Sequence, residues 1–369
     1  MMDDNSKINK TQLSMILFNT MMGVEVLSLP NRLADEIGTS GWISIILGGL
    51  LSAAIMAMIT SVALKYPGKS MVEFSRELLP PAIANTISFI YMVEFLIIGS
   101  LVIRLFNEVV GIFLLVNTPY VIINITIAML AVYMVRSGIE PMGRLFIVAT
   151  MLLIPIVLFA GLTLLTDIKL KNFLPLFQFD TKTLAKSVTS TISSYSGFQI
   201  AFLLVLFVKE DKDKTIKYNV MSVIFLIVFY LLTFFATLGK YGVDKMKSQI
   251  WPPMSLMRSI QIPSAFVENI DALVLSIWII TVFTTLSSVL FGASFIASRL
   301  CNTRQIKPFA IPAVLIMMYL SVIPSNLSQT YLFAKTVMPK FSAVTIFTVP
   351  VIYFIISKVK DKKKESLNG

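Results

Sequence analysis

Apolar residues in this chain run in long stretches. They do not show the alternation of a half-buried strand or the narrow stripe of a surface helix. A helix that crosses a bilayer needs about 20 mostly apolar residues. Ten stretches fit, at 12–35, 42–64, 82–115, 119–136, 143–165, 184–208, 216–239, 266–299, 308–324 and 336–357. Most linkers are short, and none holds a soluble domain. The pattern predicts an all-α integral membrane protein whose residues 1–369 form one polytopic domain, with 358–369 as a charged cytoplasmic tail. The first stretch is read as a retained span and not a signal peptide. Asp3 and Asp4 offset Lys7 and Lys10, the apolar run contains Glu25, and no small-residue cleavage site follows it.

Ten spans divide into two sets of five, about 11–165 and 184–357. An odd number per half inverts the second half relative to the first, an arrangement that many secondary transporters share. A trace of the repeat is visible. After span two comes YPGKSMVEFSRELLP (Tyr66 to Pro80), and after span seven comes WPPMSLMRSIQIP (Trp251 to Pro263). Each is an aromatic-Pro pair, a short amphipathic segment and a second Pro ahead of a very long span. Inversion puts one inside and the other outside.

Spans one and six both carry breakers at mid-membrane. GVEVLSLP (Gly23 to Pro30) combines a glycine, a charge and a proline; SSYSGFQ (Ser193 to Gln199) combines polar side chains with a glycine. Glycine loosens a helix, and proline removes a backbone donor. In lipid, freed backbone groups are tolerated only where they line a cavity or are buried in protein. A single such site reads as close helix packing by small residues. Two at equivalent positions of a five-plus-five repeat read as a binding site. The candidate ligand-binding residues are Gly23, Val24, Glu25 and Val26 with Tyr195, Ser196, Gly197, Phe198 and Gln199. Backbone N–H groups at the half-helix N-termini are expected to meet the ligand's anionic end.

Composition agrees with the pattern. Hydrophobic residues make up 56% of the chain and charged ones 14%, with a mean hydropathy of +0.83, against about 25% charged in soluble domains. The net charge of +11 does not point to nucleic acid, because the basic residues sit in short clusters between apolar runs. With the N-terminus inside, the inner segments hold 19 basic residues against 11 in the outer ones, which favours cytoplasmic termini. There is no histidine, which excludes imidazole metal sites, triads and proton relays, and Cys301 alone forms no internal disulfide. No cofactor, no metal site and no catalytic constellation emerges, so an enzyme is not expected.

Ionisable and hydroxyl side chains inside the spans are the remaining candidates, for an ion or water path. Burial of an ionisable group in a membrane is costly and marks function by default. Span three carries Glu94, Arg104 and Glu108. Arg104 and Glu108 stand four apart and can pair on one face, so a self-satisfied ion pair and a functional pair are both open. Glu94 has no partner in its own helix beyond Tyr91, one turn away, and is expected to line a water or ligand path. Span eight carries Thr284, Thr285, Ser287 and Ser288. Their hydroxyls either bond their own helix carbonyls or contribute to a cation site. Glu268 and Asp271 begin span eight, where acids suit a helix's first turns.

Several of these segments resemble a known family. GVEVLSLP resembles the first-helix segment of the amino acid–polyamine–cation permease superfamily, and YSGFQ resembles its sixth-helix pattern, with Gln199 where an acid is usual. Phe266 to Phe283, FVENIDALVLSIWIITVF, is similar to a segment of the permease-like B subunits of endospore germinant receptors, with Asn269 where an Arg is usual. The resemblance implies a LeuT-like fold with helices 1 and 6 broken, and a spore inner membrane location. It also implies a small nutrient germinant, taken as an amino acid, and partner A subunits with soluble heads and C subunits that are lipoproteins. In sodium-coupled relatives, hydroxyls at the level of Thr284 to Ser288 join span-one carbonyls around a cation. Relatives usually have a small residue where Glu25 stands. An ionised Glu25 would repel a carboxylate and could receive an ammonium group or a cation instead; a protonated Glu25, and one that faces a water-filled vestibule or bonds unpaired backbone N–H groups, are also open. Two other readings stay open: a cation- or proton-coupled amino acid transporter, and a partner-gated ion or water channel.

Overall fold

The structure is a computed structural model that describes residues 7–164, 168–177, 179–209, 212–259 and 270–368. Its elements follow from local chemistry. Asn9 and Gln12 form a reciprocal capping box (Gln12 N–H to Asn9 Oδ1 2.7 Å, Asn9 N–H to Gln12 Oε1 2.8 Å), which starts α1 at Lys10–Met22. The helix stops at Gly23, whose φ of +26° L side chains rarely adopt. α2 resumes at Glu25–Ile37 with Pro30 inside it. The break is therefore narrower than the expected Gly23–Pro30. Proline fixes a φ compatible with helix, so Pro30 leaves the Val26 carbonyl without its donor yet does not end α2.

α3 (Gly41–Leu64) leads to the short α4 (Met71–Leu78), opened by a Ser70–Glu73 capping box, and then to α5 (Pro81–Phe113), α6 (Tyr120–Ser137) and α7 (Ile139–Leu164). α8 (Thr181–Ser194) ends in a second break at Tyr195–Gly197, with Gly197 at φ +113°. The chain continues through a 3-10 turn at Phe198–Ile200, α9 (Ala201–Leu204) and a 3-10 turn at Val205–Phe207. The two parts of this span meet at 51°.

The remaining helices are α10 (Lys212–Ser248), interrupted at Gly242, then α11 (Pro252–Arg258), α12 (Ile270–Leu300), α13 (Ala310–Val322), α14 (Leu327–Ser342) and α15 (Val349–Asn368). A π-turn at Ala343–Thr348 joins the last two. Every expected span is largely helical over its described residues. Among the described residues, six helical stretches are long and apolar enough to cross a membrane, seven if the bent pair is one span. The last begins about nine residues before the expected 336, because Asn326 caps it by accepting from Gln329 N–H at 2.9 Å. The expected charged tail continues that helix to Asn368. The two Pro-flanked segments both contain short helices, α4 and α11. Residues 266–269, and so Glu268 and Asn269, lie outside the described residues. Asp271 stands in the first turn of α12.

Small residues set the packing. A Cβ on Gly292 of α12 would stand 3.0 Å from the Phe95 ring of α5, and one on Gly48 of α3 would stand 3.2 Å from Thr191 of α8. Such close approaches are the usual basis of helix association in membranes. Tyr133 and Met129 of α6 and Tyr319 of α13 are about 70% exposed (73%, 68% and 70%). On apolar helices of this length they form a lipid-facing surface.

Candidate functional site

The two breaks lie against each other. A Cβ on Gly197 would stand 3.0 Å from Thr20 Cγ2 and 3.1 Å from the Thr20 carbonyl oxygen. Only glycine fits there, both for its φ and for the contact with the last turn of α1. On the other side of that turn, a Cβ on Gly23 would stand 3.2 Å from Thr285 Cγ2 of α12. Tyr230 of α10 ties both breaks: its hydroxyl lies 3.0 Å from the Ser194 carbonyl oxygen and 3.3 Å from that of Met21.

Gln199 is fully buried and folds back over its own break. Its Oε1 accepts from Gly197 N–H at 2.8 Å, and its Nε2 lies 3.4 Å from Ser196 Oγ. Its side chain also lies beside the Glu94 carboxyl of α5. Glu94 is fully buried; its Oε1 accepts from Thr345 Oγ1 at 2.9 Å, while Oε2 has no partner among the described residues. Thr345 belongs to the π-turn, and its carbonyl accepts from the Tyr91 hydroxyl at 2.5 Å. Glu94 thus joins α5, the break of span six and the π-turn, a kind of local unwinding found often at functional sites.

Glu25 opens α2 beside the breaks and is not alone. Its Oε2 accepts from Ser194 Oγ at 3.2 Å and lies 3.6 Å from a guanidinium nitrogen of Arg32, which itself donates to Ser194 Oγ. Further along α2, Glu36 accepts from Ser190 Oγ of α8 at 2.7 Å. At the opposite end, Ile8 pairs with the chain leaving span six, through Ile8 N–H to Phe207 O (2.9 Å) and Lys209 N–H to Ile8 O (3.2 Å). Spans one and six are tied to each other at both ends.

Not every expected residue faces the junction. The Tyr195 hydroxyl donates to Ile45 O at 3.0 Å in α3, and its ring packs edge-on to Tyr230. Its side chain packs between α3 and α10. Val24, Val26 and Phe198 are buried, and Ser196 is half-buried. Arg104 and Glu108 form the expected pair, at 2.8 Å. In span eight, Thr284 and Ser288 bond carbonyls of their own helix (Thr284 to Thr281 O 2.7 Å, Ser288 to Thr284 O 3.0 Å). Thr285 bonds Thr281 O at 3.0 Å and also reaches the span-one carbonyl of Asn19 at 2.7 Å. Ser287 Oγ is buried without a partner among the described residues.

Three residues of this junction escape sequence reasoning. Asn19 is fully buried, and its amide donates to Met15 O (2.9 Å), Phe146 O (3.3 Å) and Thr150 Oγ1 (2.7 Å) while Oδ1 accepts from Thr284 at 3.3 Å. A lone amide in an apolar span was its only signal. Arg32 reads in sequence as an outer-loop charge, and Tyr230 as one aromatic among many.

A family model described as spore germination protein matches residues 7–330. The chain belongs to this family. Among its relatives, spore germination protein YndE of Bacillus subtilis (strain 168) is 28% identical over 362 residues, covering 97% of this chain and 98% of that protein. Spore germination protein A2 of the same organism is 28% identical over 359 residues, 96% of each chain. GerLB of Bacillus cereus is 24% identical over 364 residues, again 96% of each. The fold is that of LeuT-type transporters. A substrate-bound, outward-open Na+-coupled sialic acid symporter superposes with a TM-score of 0.70 at 14% identity, over 93% of this chain and 79% of that one. MHP1, a nucleobase–cation-symport-1 family transporter in a closed conformation with bromovinylhydantoin bound, gives 0.66 at 12% identity, over 92% and 75%. This member of the family is thus an integral membrane protein, similar in sequence to spore germination proteins and sharing its fold with symporters. The resemblance carried by GVEVLSLP, YSGFQ and the span-eight segment is borne out at the level of the family.

Proposed function

We propose that this protein is the germinant-sensing membrane subunit of a spore germinant receptor, built as ten transmembrane helices in a five-plus-five inverted repeat. It binds a small nutrient, an amino acid, at the breaks of helices 1 and 6. Binding shifts the population of two conformations, and the change passes to A-type and C-type partner subunits in the spore inner membrane. Both termini are cytoplasmic. The ligand contacts are Gly23, Glu25, Ser196, Gly197 and Gln199, with Val24, Val26 and Phe198 shaping the apolar walls. Glu94 carries the change from the break of helix 6 to the π-turn of helix 10.

The observation that carries this reading is the meeting of two interrupted helices at one polar junction, Gly197 against Thr20 with Tyr230 across both helix ends. Helix interruptions at corresponding positions of two repeats are where transporters of this architecture bind substrate. Gly197→Leu tests it. The side chain has no room beside Thr20 and would fill the space where helix 6 opens. The variant is expected to insert at normal levels and lose the germination response; a normal ligand dose–response would place the site elsewhere.

A coupled transporter is the second reading, favoured by the symporter fold and by the Thr285 hydroxyl that reaches the Asn19 carbonyl of span one. Uptake into proteoliposomes driven by a Na+ or H+ gradient separates it from a pure sensor.

A further inference from the structure

Glu25 and Arg32 share one face of α2 and form an incomplete ion pair. Their closest oxygen–nitrogen distance is 3.6 Å, longer than the 2.7–2.9 Å or so of a well-made charge-assisted hydrogen bond. Arg32 Nε is buried and has no partner among the described residues. The two side chains are 36% and 31% exposed, so both reach an opening while remaining partly dry. Ser194, the last residue of α8, accepts from Arg32 and donates to Glu25. The triad therefore spans both broken helices. Both charges lie near enough to act electrostatically on the hydroxyls of Tyr230 in α10 and Tyr331 in α14.

We infer that Arg32 is the residue that holds the ligand's carboxylate, while Glu25 takes its ammonium group. This rests on the ligand site being at the two breaks. The N–H groups of a helix's first turn are the usual receiver of an anion, but Glu25, the first residue of α2, puts its own negative charge in that turn. The fork of Arg32 offers a carboxylate two parallel donors. An α-amino acid carries its two charges on neighbouring groups and so meets an anion and a cation that already lie side by side. The ligand replaces each partner of the pair by one of its own groups. A third-exposed pair at this distance is weak and yields readily. Its exchange also frees Ser194, at the end of α8, from both of its charged neighbours.

The test uses the purified full chain in lipid nanodiscs. Probes are the 20 standard L-amino acids, inosine and glucose, and binding is followed by calorimetry and thermal shift. An amino acid that binds is compared with its amide, which lacks the carboxylate, and with its N-acetyl derivative, which lacks the ammonium. Arg32→Gln is expected to weaken the amino acid about 10- to 100-fold and to leave the affinity for the amide unchanged. Glu25→Gln should do the mirror image with the N-acetyl derivative, and Arg32→Lys should fall between wild type and Arg32→Gln. Wild-type affinity for the amino acid in Arg32→Gln overturns the inference. So does an equal loss for amino acid and amide, which would mark Arg32 as structural, and so does binding of no amino acid. If inosine or glucose binds instead and Gly197→Leu abolishes that binding, the inference fails while the site at the breaks stands. Binding that survives Gly197→Leu fails the site itself.

Discussion

The hydroxyl of Tyr230 lies 3.0 Å from the carbonyl oxygen of Ser194 and 3.3 Å from that of Met21. These carbonyls end α8 and α1, where helices leave their last acceptors without intrahelical partners. One buried donor serves two helix ends that are 173 positions apart in the chain, and it sets the distance between the two breaks.

Tyr230→Phe keeps the ring and its packing on Tyr195 but removes that donor. Leaving buried acceptors unsatisfied costs about 1–3 kcal/mol. The variant is expected to melt earlier in detergent and to need more ligand for the same response. Wild-type melting and dose–response would show that the shared hydroxyl does not hold the breaks together.

Gln199→Glu restores the acid usual in the wider superfamily, but Glu94 is already its neighbour. Two carboxylates in contact repel, and the carboxylate keeps only the acceptor role toward Gly197. The response of the variant should weaken toward alkaline pH, where both groups are charged, relative to the wild-type curve. Superimposable pH–response curves would mean the two side chains do not communicate.

Glu94 and Thr345 form one unit across α5 and the π-turn. Glu94→Ala and Thr345→Val should each destabilise the protein, and the double variant should lose less than the sum. A coupling of about 0.5–3 kcal/mol is typical of residues in direct contact. Additive losses in chemical denaturation would refute a direct bond between them. Glu94→Ala should also uncouple ligand binding from the germination response.

Asn19→Leu removes two donor contacts that fasten α1 to α7 and an acceptor for Thr284 of α12. Thr150 Oγ1 and Thr284 Oγ1 keep carbonyl partners in their own helices. The expected loss is therefore nearer 1 than 3 kcal/mol, read as a lower melting temperature. Because Asn19 sits one turn before the break at Gly23, the ligand response should fall as well. An unchanged response would separate the stability of α1 from its role at the site.

Much of this protein is written locally. Hydropathy over windows of span length depends only on the transfer of consecutive side chains, and every stretch read from it is largely helical over its described residues. The breaks were legible for the same reason: a glycine that takes φ of +26° or +113° does so within its own few residues. Even so, Pro30 did not widen the first break, because a helical φ is compatible with proline. The last helix began early, because Asn326 and Gln329 cap it and hydropathy is blind to caps.

What only the tertiary structure decided is which side chain meets which. Glu25 read as a lone charge at mid-membrane, yet it shares Ser194 with Arg32 across two helices. Tyr195 read as a ligand contact, yet its hydroxyl is spent on Ile45. Glu94 read as unpartnered, and its partners came from positions 199 and 345. The rotation of each helix about its axis selects these meetings. That rotation is set where small residues such as Gly48 and Gly292 let distant helices close on one another. No window along the chain contains both sides of such a contact, so apolar length and breakers are sequence properties while the chemistry of the junction belongs to the fold.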